Sequence, residues 1–196
     1  MEKLKTGIVF IGSVCAGKST QGKLVAEAIG RKSISLDNIA NKYYETVGFN
    51  RSQFEKTKNK HGFLEAYRQL KPFEAYAAKQ ILKDYPDCII DFGAGHSYYE
   101  DKSLFESVKQ VASGYLNIIL LLPSPNLDRS VLILRQRSIQ QRGQNWIFDG
   151  CDFIEHWVKG SCNQNLATMT IYTEDKTPEE TRDEILQKIG SRSFFI

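Results

Sequence analysis

The chain has 196 residues, 41% hydrophobic and 25% charged, which suits one domain (1–196) with a substantial core. Its 26 Lys and Arg against 23 Asp and Glu leave a net charge of +3, too weak a balance to point to nucleic acid or a membrane surface as a partner. The strongest apolar run, residues 118–122, is too short to cross a bilayer, the N-terminus lacks a secretory leader, and the four cysteines show no CxxC spacing, so a cytoplasmic chain with free thiols is expected.

Residues 6–11 read as a buried strand. The loop that follows, Gly12-Ser13-Val14-Cys15-Ala16-Gly17-Lys18-Ser19, matches the phosphate-binding pattern G-x-x-x-x-G-K-[ST] in full. Residues 20–29 then read as a helix closed by Gly30. In that strand–loop–helix setting the loop amides and the helix N-terminus point at an anion. Lys18 can reach β- and γ-phosphates, and Ser19 can hold Mg²⁺ through its hydroxyl. A nucleoside triphosphate is the expected ligand, seated on residues 12–20.

Residues 32–36 form a short second strand. Asp37 follows it, either capping the next helix (to about Val47) or accepting the proton of an attacking hydroxyl near the γ-phosphate. Residues 48–62, with Arg51, Lys56, Lys58 and Lys60, read as a solvated basic stretch. Residues 61–84 read as a long helix that Pro72 should kink or split.

Residues 87–92 form a third strand that ends on Asp91, where a carboxylate can bind Mg²⁺ directly or through its waters. The turn Gly93-Ala94-Gly95 allows a close backbone approach, and His96 beyond it could donate to a substrate oxygen or be structural. Residues 99–113 read as helix, and 116–122 as a fully buried strand. Residues 126–139 read as helix, followed by a polar stretch, 140–149. Arg135, Arg137 and Arg142 could neutralise charge on a transferred phosphoryl group, Arg142 and Arg135 being the stronger candidates. A helix from about Cys151 into the 160s, a fifth strand at 167–172 and a last helix opened by Thr177-Pro178-Glu179-Glu180 complete the chain. Apolar strands alternating with helices imply a parallel sheet covered on both faces, with ligands at the carboxyl ends of its strands.

With these residues in place, the chain resembles the shikimate kinase family, within the nucleoside-monophosphate-kinase-like P-loop enzymes. Residues 10–12 and 17–26 look like that family's GxxxAGKSTxGxxLA segment. Leu36-Asp37 resembles its acidic motif, Lys71-Pro72-Phe73-Glu74 sits at its FRxxE motif, and Gly93-Ala94-Gly95 at its triple glycine. Arg135 and Arg142 keep the spacing of its adenine-contacting and lid arginines, and residues 170–173 look like its closing strand.

The resemblance implies a five-stranded parallel sheet of order 2-3-1-4-5 and a substrate-binding region at about 37–75. It also implies a lid at about 138–152, and ATP with Mg²⁺ as cofactors. It implies phosphoryl transfer to a hydroxyl of shikimate or a similar hydroxylated acid. Gly12, Ser13, Cys15, Ala16, Gly17, Lys18, Ser19, Thr20 and Arg135 would hold the nucleotide. Ser19 and Asp91 would hold the metal, and Lys18, Asp37 and Arg142 would act in catalysis. The acceptor would meet Asp37, Lys71, Gly93, Ala94, Gly95 and Lys159.

Departures from the family pattern fall on the acceptor side. Ser35 stands where the family has its first acid, a duty Asp91 can assume. Lys71 and, approximately, Lys159 replace two carboxylate-binding arginines without their bidentate fork. The triple glycine has lost its middle member. A nucleoside or nucleotide kinase, a P-loop ATPase or switch acting on a partner, and a catalytically dead binding module remain as alternatives; a guanine-specific switch is disfavoured, since the chain has no NKxD motif.

Overall fold

The structure, a computed structural model, describes residues 5–193. Its first strand, β1 (Lys5–Ile11), leads through the phosphate-loop sequence into α1 (Lys18–Ala28). Then come β2 (Ser33–Ser35), α2 (Leu36–Thr46), α3 (Arg51–His61) and α4 (Phe63–Asp84). β3 (Ile89–Asp91), a 3₁₀ turn (Ala94–Ser97), α5 (Lys102–Ala112), β4 (Tyr115–Leu122) and α6 (Leu127–Arg142) follow. A two-stranded hairpin, β5 (Ile147–Phe148) and β6 (Cys151–Asp152), precedes α7 (Phe153–Lys159), α8 (Ser161–Leu166), β7 (Met169–Tyr172) and α9 (Pro178–Ser193).

The main sheet has five strands in the order β2-β3-β1-β4-β7, every pair parallel. This is the order 2-3-1-4-5 expected from the resemblance, with the small antiparallel hairpin inserted before the last strand. The fold is a three-layer α/β arrangement of the P-loop NTPase type. The central strands are covered on both sides, which is why β1, β3 and β4 read as near-continuous apolar runs. Ile8, Phe10, Ile11, Ile89, Ile90, Ile119 and Leu121 are almost fully buried. Among the described residues, no helix is long and apolar enough to cross a membrane.

Four local readings change. α4 runs unbroken through Pro72. The proline removes one helical hydrogen bond, but Ala75, Ala77, Ala78, Ile81 and Leu82 are buried along the same helix, and that packing holds it together. The basic stretch after α2 is itself a helix, α3, exposed over most of its length and laced by Arg51–Glu55 and Lys58–Glu55 pairs. The helix expected from Cys151 is a hairpin strand followed by two short helices broken at Gly160, where a side chain would overlap Tyr98. Asp37 caps nothing: α2 begins one residue earlier, with Ser35 as its N-cap. Asp37 instead lies in the first turn, where a negative charge favours the helix dipole, and its carboxylate is left free for other work. The start of α9 follows expectation, for Thr177 Oγ1 accepts from the Glu180 amide at 3.1 Å and Glu180 Oε2 accepts from the Thr177 amide at 2.7 Å, a reciprocal capping box.

Candidate active site

The carboxyl ends of β1, β2, β3 and β7 open on one cleft of about 320 Å³. Its floor is the loop and first turn of α1, residues 14–21. Asp37, Asp91 and Ala94 stand on one side of it, and Arg137, Gln141, Arg142, Thr173, Lys176, Pro178 and Thr181 on the other. α1 has Gly17 as its N-cap, with φ +96° and no side-chain cap. The amides of its first turn therefore face the cleft without a side-chain partner, as anion binding requires. Gly12 and Ser13 belong to the same loop, and Ser13 reaches the site through its carbonyl, which accepts from Lys18 Nζ at 2.8 Å. Burial pulls the Lys18 pKa down, against the opposing pull of Asp91 and Asp37.

Ser19 and Asp91 meet across 72 positions of sequence, the Ser19 hydroxyl donating to Asp91 Oδ2 at 2.5 Å. Parallel pairing sets Asp91 beside Phe10 on one side and Ser35 on the other, so the acid emerges where β1 gives way to the loop. Burial raises its pKa, and the Lys18 charge and the Ser19 bond work against that rise. Asp91 Oδ1 is buried without a hydrogen-bond partner. A hydroxyl and a carboxylate with one oxygen unsatisfied make a hard, oxygen-only donor set that fits Mg²⁺. Among the described residues no cluster of three or more His, Cys, Asp or Glu could enclose a metal. Mg²⁺ suits such a sparse site, since it keeps waters and takes its other ligands from phosphate oxygens.

Two glycines shape the side of the cleft where Asp37 stands. A Cβ at Gly93 would stand 1.8 Å from Asp37 Oδ1 and 2.6 Å from His96 Nδ1. A Cβ at Gly95 would stand 2.5 Å from Glu74 Oε1. Each glycine thus makes room for one carboxylate, while Ala94 between them faces the cleft. Asp37 is open to the cleft, its side chain 66% exposed. Lys71 is enclosed, its Nζ donating to Glu74 Oε2 at 2.6 Å and to Gly95 O at 2.8 Å, and lying 3.9 Å from the centre of the Tyr67 ring. Burial lowers the Lys71 pKa, with Glu74 pulling it back up.

The cleft brings together Cys15, Ala16, Gly17, Lys18, Ser19, Thr20, Asp37, Asp91, Ala94 and Arg142. Gly12, Ser13, Lys71, Gly93 and Gly95 of the expected set do not line it, and Arg135 and Lys159 turn away from it. Arg135 turns to α7, with Nε 2.7 Å from Asp152 Oδ2 and Nη2 3.3 Å from Glu155 Oε2. Lys159 sits on the surface, paired with Asp128 and Glu155 at 2.7 Å each, because α7 ends beside the start of α6. Arg137, two residues further along α6, lines the cleft instead. The sequence reading also passed over Thr173, Lys176, Pro178 and Thr181, from the loop after β7 and the start of α9. The rule that ligands gather at the carboxyl ends of parallel strands was the available signal. Gln21 Nε2 ties this loop to α1 through Pro178 O at 2.9 Å.

No protein-family model and no curated protein sequence matches the chain. Solved structures do. Shikimate kinase from Acinetobacter baumannii, in complex with shikimate, aligns over 97% of this chain and 96% of its own at 20% identity, with a TM-score of 0.62. Shikimate kinase from Aquifex aeolicus aligns over 95% and 98%, also at 20% identity, with a TM-score of 0.63. A gluconokinase from Sinorhizobium meliloti covers 99% and 98% at 14% identity, with a TM-score of 0.52. At such identities the likeness is one of architecture: the chain has the nucleoside-monophosphate-kinase-like P-loop fold that these shikimate kinases and this gluconokinase share.

Proposed function

We propose that the protein is an ATP-dependent kinase that moves the γ-phosphoryl group to a hydroxyl of a small metabolite. The observation that carries this reading is the arrangement of one cleft: open first-turn amides and Lys18 on the floor, the Ser19–Asp91 pair beside them, and an exposed carboxylate, Asp37, facing the same space. The loop amides and Lys18 would hold the β- and γ-phosphates. Ser19 and Asp91 would hold Mg²⁺, which when bound neutralises phosphate charge. Asp37 would orient the acceptor hydroxyl and take its proton. Arg142, at the end of α6, would close from the segment at 138–152 as a lid and stabilise charge on the transferred group. Arg137 and the loop after β7 would line the nucleotide's other end.

Shikimate, or a similar hydroxylated acid, is the first acceptor to offer, because the two shikimate kinase structures span nearly the whole chain. A nucleoside or nucleotide acceptor is the second reading. It is favoured by the acid standing on β3 rather than β2, and by Lys71 being engaged with Glu74 rather than open to a carboxylate. ATP consumption with Mg²⁺, with and without shikimate and then across polyols, acids and nucleosides, separates the two. Lys18→Ala is expected to lower acceptor-dependent turnover by about 10²–10³-fold while the protein stays folded. Unchanged turnover removes the proposal.

A further inference from the structure

His96 stands outside the roles given so far, yet it is 4% exposed and sits beside the proposed base. Its Nε2 lies 2.6 Å from the Tyr44 hydroxyl, and the two rings stack at 14° with centroids 6.2 Å apart. Its other nitrogen, Nδ1, is buried and has no hydrogen-bond partner. The Asp37 carboxylate is near it, with Oδ1 3.5 Å away across the space that the missing side chain of Gly93 leaves open. A buried polar atom without a partner is costly, and here it is aimed at the carboxylate that takes the acceptor's proton in the proposed reaction.

The tautomer follows from the two contacts. With hydrogen on Nε2, the imidazole would donate to Tyr44 and turn a bare Nδ1 lone pair toward a carboxylate oxygen, two acceptors face to face. With hydrogen on Nδ1, Tyr44 donates to Nε2 and Nδ1–H points at Asp37, so both ends are satisfied. A slide of about half an ångström by the exposed carboxylate completes the second bond.

We propose that His96 is a positioning residue for Asp37: held by Tyr44 in its Nδ1–H form, it anchors one carboxylate oxygen and leaves the other for the acceptor hydroxyl. This rests on the kinase reading for its consequence. As the new P–O bond forms and the bond to the ADP oxygen breaks, the acceptor's proton passes to Asp37, and His96 keeps its own. Burial supports the neutral imidazole, since it lowers the His96 pKa, with Lys71 and Lys18 adding to that and Glu74 and Asp37 opposing it.

Asparagine and glutamine separate the two ring nitrogens. His96→Asn keeps an N–H near the Nδ1 position, and His96→Gln keeps only a partner for Tyr44. With shikimate, or whichever panel compound the wild type phosphorylates, H96Q is expected to lose about tenfold in kcat with KM for ATP within twofold. H96N should recover to within about threefold of wild type. Nitrogen-15 NMR of the imidazoles, with His96 assigned by its loss in H96Q, should report Nδ1–H in the wild type and a relaxed preference in Tyr44→Phe. An Nε2–H tautomer overturns the proposal, as does equal loss of turnover in H96N and H96Q. A wild type that phosphorylates nothing in the panel overturns the kinase reading instead, and the tautomer then decides the His96–Asp37 pairing alone.

Discussion

Asp37 is held in the cleft by what its neighbours lack. Its Oδ1 occupies space that any residue but glycine at position 93 would fill with a Cβ, and the helix in whose first turn it stands does not use it as a cap. Gly93→Ala should therefore displace the carboxylate by more than an ångström while leaving the phosphate loop untouched. Misplacement on that scale costs on the order of 10²-fold in rate. We expect acceptor-dependent turnover to fall by about that factor with ATP affinity, measured by titration, within about threefold of wild type. A matching loss of ATP affinity would mean that the glycine turn supports the whole cleft rather than Asp37. At this scale the phosphate loop was the most legible part of the sequence, because its chemistry is local: eight consecutive residues make one ligand surface. Arg135 and Arg137 mark the limit. Two residues apart on one helix, they point some 200° apart, and spacing alone does not say which faces the ligand. Asp152 and Glu155 decide it by drawing Arg135 to α7.

The elements around the segment at 138–152 are joined by a contact that links distant parts of the chain. Asp149, at the tip of the β5–β6 hairpin, accepts from the Leu64 amide at 2.7 Å and so supplies the side-chain cap that Gly62 cannot give α4. Phe148 packs on Phe63 beside it, ring centroids 4.4 Å apart. Asp149→Ala removes the cap and should lower stability by about 1 kcal/mol in denaturant titration, with Asp149→Asn recovering much of it. No change in D149A would show that the hairpin does not hold α4. The five sheet strands could be read from the sequence, β1, β3 and β4 from their apolar runs, and the sheet order came with the resemblance. The hairpin could not be read, although Asp149-Gly150 is a strong turn signal. Its strands are two residues each, too short to show a period, and its stabilising partners lie some 85 positions away. The same holds for Lys71 and Glu74. Their spacing places them on one face of a helix, but their enclosure depends on Gly95 and Tyr67, which no local pattern reveals.

Across the whole molecule, α4 ties these regions into one lever. It runs without a break from Phe63, under the hairpin, to Lys71 and Glu74, beside the glycine turn, a span of about 12 to 17 Å at 1.5 Å per residue. Trp157 on α7 donates from Nε1 to Tyr67 on the same helix at 3.1 Å, and it packs against Trp146 with ring centroids 5.4 Å apart. If Arg142 moves in over bound phosphates, it pulls on the four residues that join it to the hairpin, and Trp146 is one of them. Such a movement alters the contact between Trp146 and Trp157. These are the two tryptophans of the sequence, so tryptophan emission, excited at the red edge where tyrosine does not absorb, reports this joint alone. Saturating Mg²⁺ with a non-hydrolysable ATP analogue should change the emission of the wild type. Arg142→Ala should bind the analogue with a smaller change, and D149A should begin from an altered spectrum before any nucleotide is added. Emission that stays constant through saturation, with binding verified independently, would mean that the segment at 138–152 is a fixed wall of the cleft, and that the arginine acts from where it already stands.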